Sequence, residues 1–152
     1  YAQLESRANR LAQLLRRQGL RRLDHYAIFM ENNARYIEAC AAGERAGLYY
    51  TCINSHLNAE ELAFIVNDSL ARVLITSRAQ REVAHAALAS CPRLELLLML
   101  DAGPDDTPFV DYEGAIAAMP GSDSVACSKD SRAMSSSKLK PSASVEINPN
   151  SV

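Results

Sequence analysis

The stretch Gly47 to Ser77, GLYYTCINSHLNAEELAFIVNDSLARVLITS, decides the fold. Tyr49 to Ile53 is rich in aromatic and β-branched residues and reads as a buried strand. Asn54-Ser55-His56 breaks it. Asn58 can then accept a hydrogen bond from a backbone N–H in the first turn of a helix. Glu61, three residues on, can reach back to complete a capping box. Leu62, Ile65 and Val66 recur at helical spacing and form one apolar face, and Val73 to Ile75 returns to strand character. Strand, crossover helix and strand make a βαβ unit, the building block of a parallel sheet.

The alternation extends upstream. Leu4, Ala8, Leu11, Leu14 and Leu15 mark the apolar stripe of a helix over 2–18, with Arg7, Arg10, Arg16 and Arg17 largely off it. Gly19 is placed to end that helix in the left-handed conformation. Tyr26 to Met30 is a buried strand, and Glu31-Asn32-Asn33 ends it. A helix follows over 34–46, with Tyr36, Ile37, Cys40 and Ala41 as its apolar side, and Gly47 stops it. Gly43 inside that helix costs about 1 kcal/mol relative to Ala, which predicts a close approach to the sheet there. Downstream, Ser77 is expected to cap a helix reaching Ala89, and Leu96 to Leu100 is a further strand. Asp101 to Pro108 is a loop, and Val110 to Met119 is a short helix with Ile116 and Met119 inward. The order α-β-α-β-α-β-α-β-loop-α predicts an open, mainly parallel α/β sheet with helices on both faces.

A formal net charge of −2 gives no electrostatic case for nucleic acid or an anionic membrane. No apolar run approaches the roughly 20 residues that span a bilayer, and a cytoplasmic location is expected. The first residue is Tyr, with no signal peptide before it, so the chain reads as cut from something longer. Cys40, Cys52, Cys91 and Cys127 form no CxxC pair. The first three are expected as free, mostly buried thiols. His25, His56 and His85 have neither HExxH spacing nor a nearby cysteine, so no metal site is expected.

Composition changes near residue 121. Residues 122–152 hold ten Ser, against five in residues 1–121. All three Lys lie in this tail, at Lys129, Lys138 and Lys140, whereas the body has twelve Arg and no Lys. The division expected is an α/β body over 1–120 and a low-complexity Ser/Lys-rich tail over 121–152. Such a tail buries too little apolar surface to offset its ordering entropy, and the reading is disorder, a natural linker, or out-of-frame or joined sequence.

No catalytic, cofactor-binding or metal-ligating residue can be assigned. There is no GxGxxG after a strand, no GxxxxGK[ST] and no GxSxG elbow. Asp105-Asp106 read as solvated loop residues, and Glu60-Glu61 suit a helix N-terminus. Arg16-Arg17 and Arg21-Arg22 straddle a helix end, where cations are ordinary. His56 follows a strand at its carboxyl end, where open α/β sheets bind ligands, but as a lone histidine it reads as structural.

The body resembles the N-terminal part of the adenylate-forming acyl-CoA synthetases, the AMP-dependent synthetases and ligases, over about residues 1–120. The resemblance begins at Tyr1-Ala2-Gln3-Leu4 and Ala8-Asn9-Arg10-Leu11-Ala12. It is densest in Ala46-Gly47-Leu48-Tyr49-Tyr50-Thr51, Asn54-Ser55-His56-Leu57 and Glu60-Glu61-Leu62. It closes with Asp68-Ser69, Ala71-Arg72 and Val73-Leu74-Ile75. The Gly-Leu-Tyr-Tyr-Thr variant is similar to bacterial fatty-acyl-CoA synthetases. Leu23, where the family usually has Gly, and Leu70, where a small residue is common, depart from the pattern. The resemblance implies an enzyme that uses ATP and Mg²⁺ to turn a carboxylic acid into an acyl-adenylate, which CoA then captures. It also implies that the phosphate loop and the catalytic motifs lie beyond this sequence; Ser135-Ser136-Ser137-Lys138 lacks the glycines of such a loop. The chain is then an N-terminal fragment, inactive alone, whose partner is the remainder of its own enzyme. Two alternatives stay open: a self-contained flavodoxin-like α/β binding or regulatory module, and a truncated pseudo-enzyme acting as an interaction partner.

Overall fold

The computed structural model describes residues 1–122. The elements run α1 (Ala2–Arg17), β1 (His25–Phe29), α2 (Ala34–Ala46), β2 (Tyr49–Ile53), α3 (Ala59–Asp68), β3 (Val73–Ser77), α4 (Arg81–Ala87), β4 (Leu96–Leu100), β5 (Val110–Asp111) and α5 (Tyr112–Ala117). Single 3-10 turns, Arg78–Gln80 and Leu88–Ser90, flank α4. The strands form one sheet in the order β2-β1-β3-β4-β5, with every pair parallel. The tail expected at 121–152, with Cys127, lies from residue 123 onward outside the described residues.

Alternation along the strands splits the core in two. Tyr26, Ile28, Val73, Ile75, Leu98 and Leu100 face α1, α2 and α5. Ala27, Phe29, Leu74 and Met99 face α3 and α4. Crossover hand explains the assignment. Helix α2 carries the chain outward from β1 to the edge strand β2, and α3 carries it back past β1 to β3. Crossovers of one hand running in opposite directions must use opposite faces. Helix α4 runs the same way as α3 and shares its face.

Local signals place the elements. The Asn58 side chain accepts from the Glu61 backbone N–H at 2.9 Å, and Glu61 accepts from the Asn58 N–H at 3.1 Å, completing the capping box. Gly47 ends α2 with φ 68°, and Gly19 follows α1 with φ 98°. A Cβ on Gly43 would strike the Tyr26 hydroxyl and lie 2.7 Å from Tyr50 Cδ1, so α2 does approach the sheet closely there.

Several expectations are corrected. The stretch Val110 to Met119 is not all helix: Val110–Asp111 pairs with Leu98 and Met99 as a fifth strand. Strand β2 is an edge strand rather than a buried one, with Tyr49 and Cys52 exposed. Helix α2 buries Glu38, Ala39, Ala42, Gly43 and Ala46, and Ile37 points to solvent. The aromatic and β-branched residues of α2 lie toward its rim because only small residues fit beneath it. Ser77 does not cap a helix, since its hydroxyl donates to Glu31 Oε2 at 2.5 Å. Asp106 is buried at 2% exposure rather than solvated. It accepts from the Gly103 N–H at 2.6 Å and pairs with Arg81 Nε at 2.9 Å, tying the loop to α4.

Candidate functional site

The two ends of the sheet are built differently. At the amino end, Arg72 closes the structure. Its guanidinium pairs with Asp24 at 2.9 Å and Glu95 at 2.8 Å and donates to the Gly19 carbonyl at 3.2 Å. Arg72 holds the Glu95 carboxyl below its usual range, chiefly by hydrogen bonding. The carboxyl end is open. There β1 stops in Met30-Glu31-Asn32, β2 stops in Asn54-Ser55-His56, and β3 stops at Ser77. These turns border a cleft of about 600 Å³ lined also by Tyr36, Cys52, Ile53 and Gln80. The cleft lies beside the switch point of the strand order, between β1 and β3, where open α/β sheets leave a crevice for ligands.

His56 is brought to this cleft, as its position after β2 implied, and is exposed. Its backbone N–H donates to Asn54 Oδ1 at 3.0 Å, so the turn is held by Asn54 rather than by the imidazole. Ser77 fixes Glu31 across the β1–β3 junction. The lining has one carboxylate and no Lys or Arg. That is a poor environment for a triphosphate and a suitable one for neutral polar groups. His25 and His85 lie elsewhere: His25 stacks on Tyr49, with ring centroids 4.9 Å apart, and His85 meets Phe109. Among the described residues, no three His, Cys, Asp or Glu side chains could hold a metal ion together. No helix there is long and apolar enough to cross a membrane.

A second charged constellation escaped the reading of sequence. Glu38, at 1% exposure, accepts from Arg7 Nε at 2.6 Å and from the Tyr112 hydroxyl at 2.6 Å. Glu113 accepts from Arg7 at 2.8 Å and from Arg35 at 2.9 Å. Two carboxylates, two guanidiniums and a phenol thus join α1, α2 and α5. Burial, then the hydrogen bond to Glu38, pushes the Tyr112 phenol above its ordinary range. One signal was available. Glu38 lies on the same i, i+4 row as Ala42 and Ala46, which are buried.

Residues 1–143 match the family model described as "AMP-binding enzyme". The chain belongs to the AMP-binding enzyme family. It is 32% identical over 122 residues to the 3-oxocholest-4-en-26-oate–CoA ligase of Rhodococcus rhodochrous, a match covering 77% of this chain and 22% of that protein. It is 37% identical over 109 residues to a feruloyl-CoA synthase of an Amycolatopsis species, covering 71% of this chain and 22% of the relative. Among solved structures it superposes on an anthranilate CoA ligase in complex with anthranoyl-AMP with a TM-score of 0.75 at 22% identity, over 79% of this chain and 23% of that one. It also superposes on a Mycobacterium tuberculosis fatty acyl CoA synthetase with a TM-score of 0.72 at 23% identity, over 82% and 24%. These two likenesses establish the fold. This AMP-binding family chain spans about a fifth of the length of the curated relatives it matches.

Proposed function

We propose that this chain is the N-terminal scaffold of an acyl-CoA ligase and does not adenylate a carboxylic acid alone. The observation that carries the reading is the family match over residues 1–143 of a chain that spans only about a fifth of its CoA-ligase relatives. The polar cleft supports it, because its lining offers a triphosphate no cation. In this reading residues 1–120 form an incomplete α/β subdomain and 121–152 a tail outside it. The full enzyme is cytoplasmic and uses ATP, Mg²⁺, CoA and a carboxylic acid. The partner of this chain is the remainder of that enzyme. The test is carboxylate-dependent ATP–pyrophosphate exchange by the purified chain with Mg²⁺, using fatty, steroid and aryl acids. No exchange above the protein-free rate is expected, and clear exchange with any acid overturns the reading.

One observation favours a second reading. The strand order β2-β1-β3-β4-β5 is also the flavodoxin-like order, with the cleft beside its switch point. A self-contained binding module would gain thermal stability from a nucleotide or flavin in proportion to the logarithm of ligand concentration. The scaffold reading expects no such gain.

A further inference from the structure

Cys40 and Cys52 are far apart in chain character, one inside α2 and the other on the edge strand β2, and no motif links them. The fold nevertheless brings their Sγ atoms to 4.0 Å. Neither is in a disulfide. Cys52 is exposed and lines the open cleft, whereas Cys40 sits half-buried behind it on the helix. No strand pairs with β2 on its outer side among the described residues, so a small molecule can reach Cys52 along that edge.

We propose that Cys40 and Cys52 form a redox modification site: Cys52 takes a small disulfide from solution, and Cys40 resolves the adduct into an intramolecular disulfide. In the first step the Cys52 thiolate attacks one sulfur of the small disulfide, whose S–S bond breaks. One small thiol leaves with a proton, and a mixed disulfide remains on Cys52. In the second step the deprotonated Cys40 sulfur attacks Cys52 Sγ, and the second small thiol leaves. The protein loses two hydrogens and two electrons, and the small disulfide gains them. The geometry suits this order. Closing from 4.0 Å to the roughly 2.05 Å of a disulfide asks each sulfur to move by about 1 Å, within the reach of side-chain rotation. Exposure selects Cys52 as the entry point.

The surroundings distinguish the two members of the pair. Burial, and then the neighbouring Cys52, pushes the Cys40 thiol up to about 12, so Cys40 is a poor first nucleophile at neutral pH; once Cys52 is capped its charge no longer opposes Cys40, and the 4.0 Å proximity drives the resolving attack. Tyr36 and Cys52 both line the cleft, so the pair sits in its wall. Forming the disulfide draws Cys52 toward α2 and changes that wall.

The test uses the full chain and bis(2-hydroxyethyl) disulfide, an uncharged probe, with intact-mass analysis and peptide mapping. The C91S/C127S variant leaves only the proposed pair. It is expected to finish two hydrogens lighter, with no titratable thiol and with one peptide joining Cys40 to Cys52. C40S/C91S/C127S, in which Cys52 is the one remaining thiol, is expected to stop with a single adduct on Cys52. The same crosslinked peptide is sought in the unsubstituted chain, which removes dependence on the folding of any variant. In denaturing urea the preference for the Cys40–Cys52 pairing should be lost. The proposal is overturned by adducts that persist on both thiols, by a pair that stays unreacted in the native chain, or by equal crosslinking in native and denatured chain.

Discussion

Glu38→Ala removes the acceptor at the centre of the three-helix network, and its cost can be worked from the contacts. The Tyr112 hydroxyl, in a side chain that is fully buried, loses its acceptor at 2.6 Å. An orphaned buried donor costs about 1–3 kcal/mol. Arg7 loses a partner at 2.6 Å but keeps Glu113 at 2.8 Å and retains 26% side-chain exposure, so that loss is discounted to about 1 kcal/mol. Alanine returns about 0.5 kcal/mol of helix propensity. The net cost is about 1.5–3.5 kcal/mol, which for a body of this size lowers Tm by roughly 10 °C. The chain has no Trp, so the assay is urea unfolding followed by far-UV circular dichroism at pH 7. Tyr112→Phe should cost less, about 1 kcal/mol, because Glu38 keeps Arg7. The double variant should be less destabilised than the sum of the two, since Phe leaves no orphaned hydroxyl. The coupling expected is about 1 kcal/mol. A Glu38→Ala variant within about 0.5 kcal/mol of the parent, or strict additivity with Tyr112→Phe, would refute the account of the network as a buried staple.

Gly43→Ala sets about 1 kcal/mol of helix propensity against overpacking of about 1–3 kcal/mol where a Cβ meets the Tyr26 hydroxyl and Tyr50. A net loss of about 1 kcal/mol is expected, read as a lower urea midpoint. Leu23 is exposed and has φ 75°, a conformation costing about 1–2 kcal/mol for a non-glycine residue. Leu23→Gly should therefore raise stability slightly, by about 0.5 kcal/mol after the added entropy of the unfolded chain, and a lower thermal midpoint would contradict this. Alkaline titration gives a separate check. Burial raises the Tyr26 and Tyr112 phenols above their ordinary value near pH 10. The unfolded chain then releases protons that the folded chain holds. Their contribution is complete below about pH 10 and is lost as pH rises above it. Ultraviolet titration should show Tyr26 and Tyr112 ionising only with unfolding, while Tyr36 and Tyr50, also raised by burial, titrate above their ordinary value in the folded chain. Early ionisation of all six tyrosines in a chain that stays folded would count against the burial argument.

What could be read in the sequence was mostly local. The Asn58–Glu61 box lies within four residues, and Gly19 and Gly47 mark turns through their own backbone freedom. The bounds of α2 needed only Asn33 and Gly47. The features that were missed depend on partners distant in sequence. Val110–Asp111 is a strand only because Leu98 and Met99 offer a free edge, and two residues carry no periodicity of their own. Arg7 reads as a surface residue until α5 brings Glu113 beside it, 106 residues away. Asp106 is buried because Arg81 and the Gly103 N–H are folded over it. The cleft was anticipated at His56 alone, since its other walls come from turns after β1 and β3 and from Tyr36 on α2.

The placement of charge links these observations to the functional reading. Arg7 and Arg35 are engaged by Glu38 and Glu113, Arg72 by Asp24 and Glu95, and Arg81 by Asp106. Apart from Arg35–Glu38, which lies within α2, each pair joins separate elements or closes a turn, and none lines the cleft at the carboxyl end of the sheet. Diverting one of these guanidiniums to a phosphate would leave a carboxylate without its partner, and for Glu38 or Asp106 that carboxylate is buried. A polyphosphate site made from these arginines would therefore cost the fold its cross-links. Under the proposed function, that conflict is the physical reason to expect the cations of the reaction from other parts of the enzyme, with this chain supplying the rigid α/β frame beneath them.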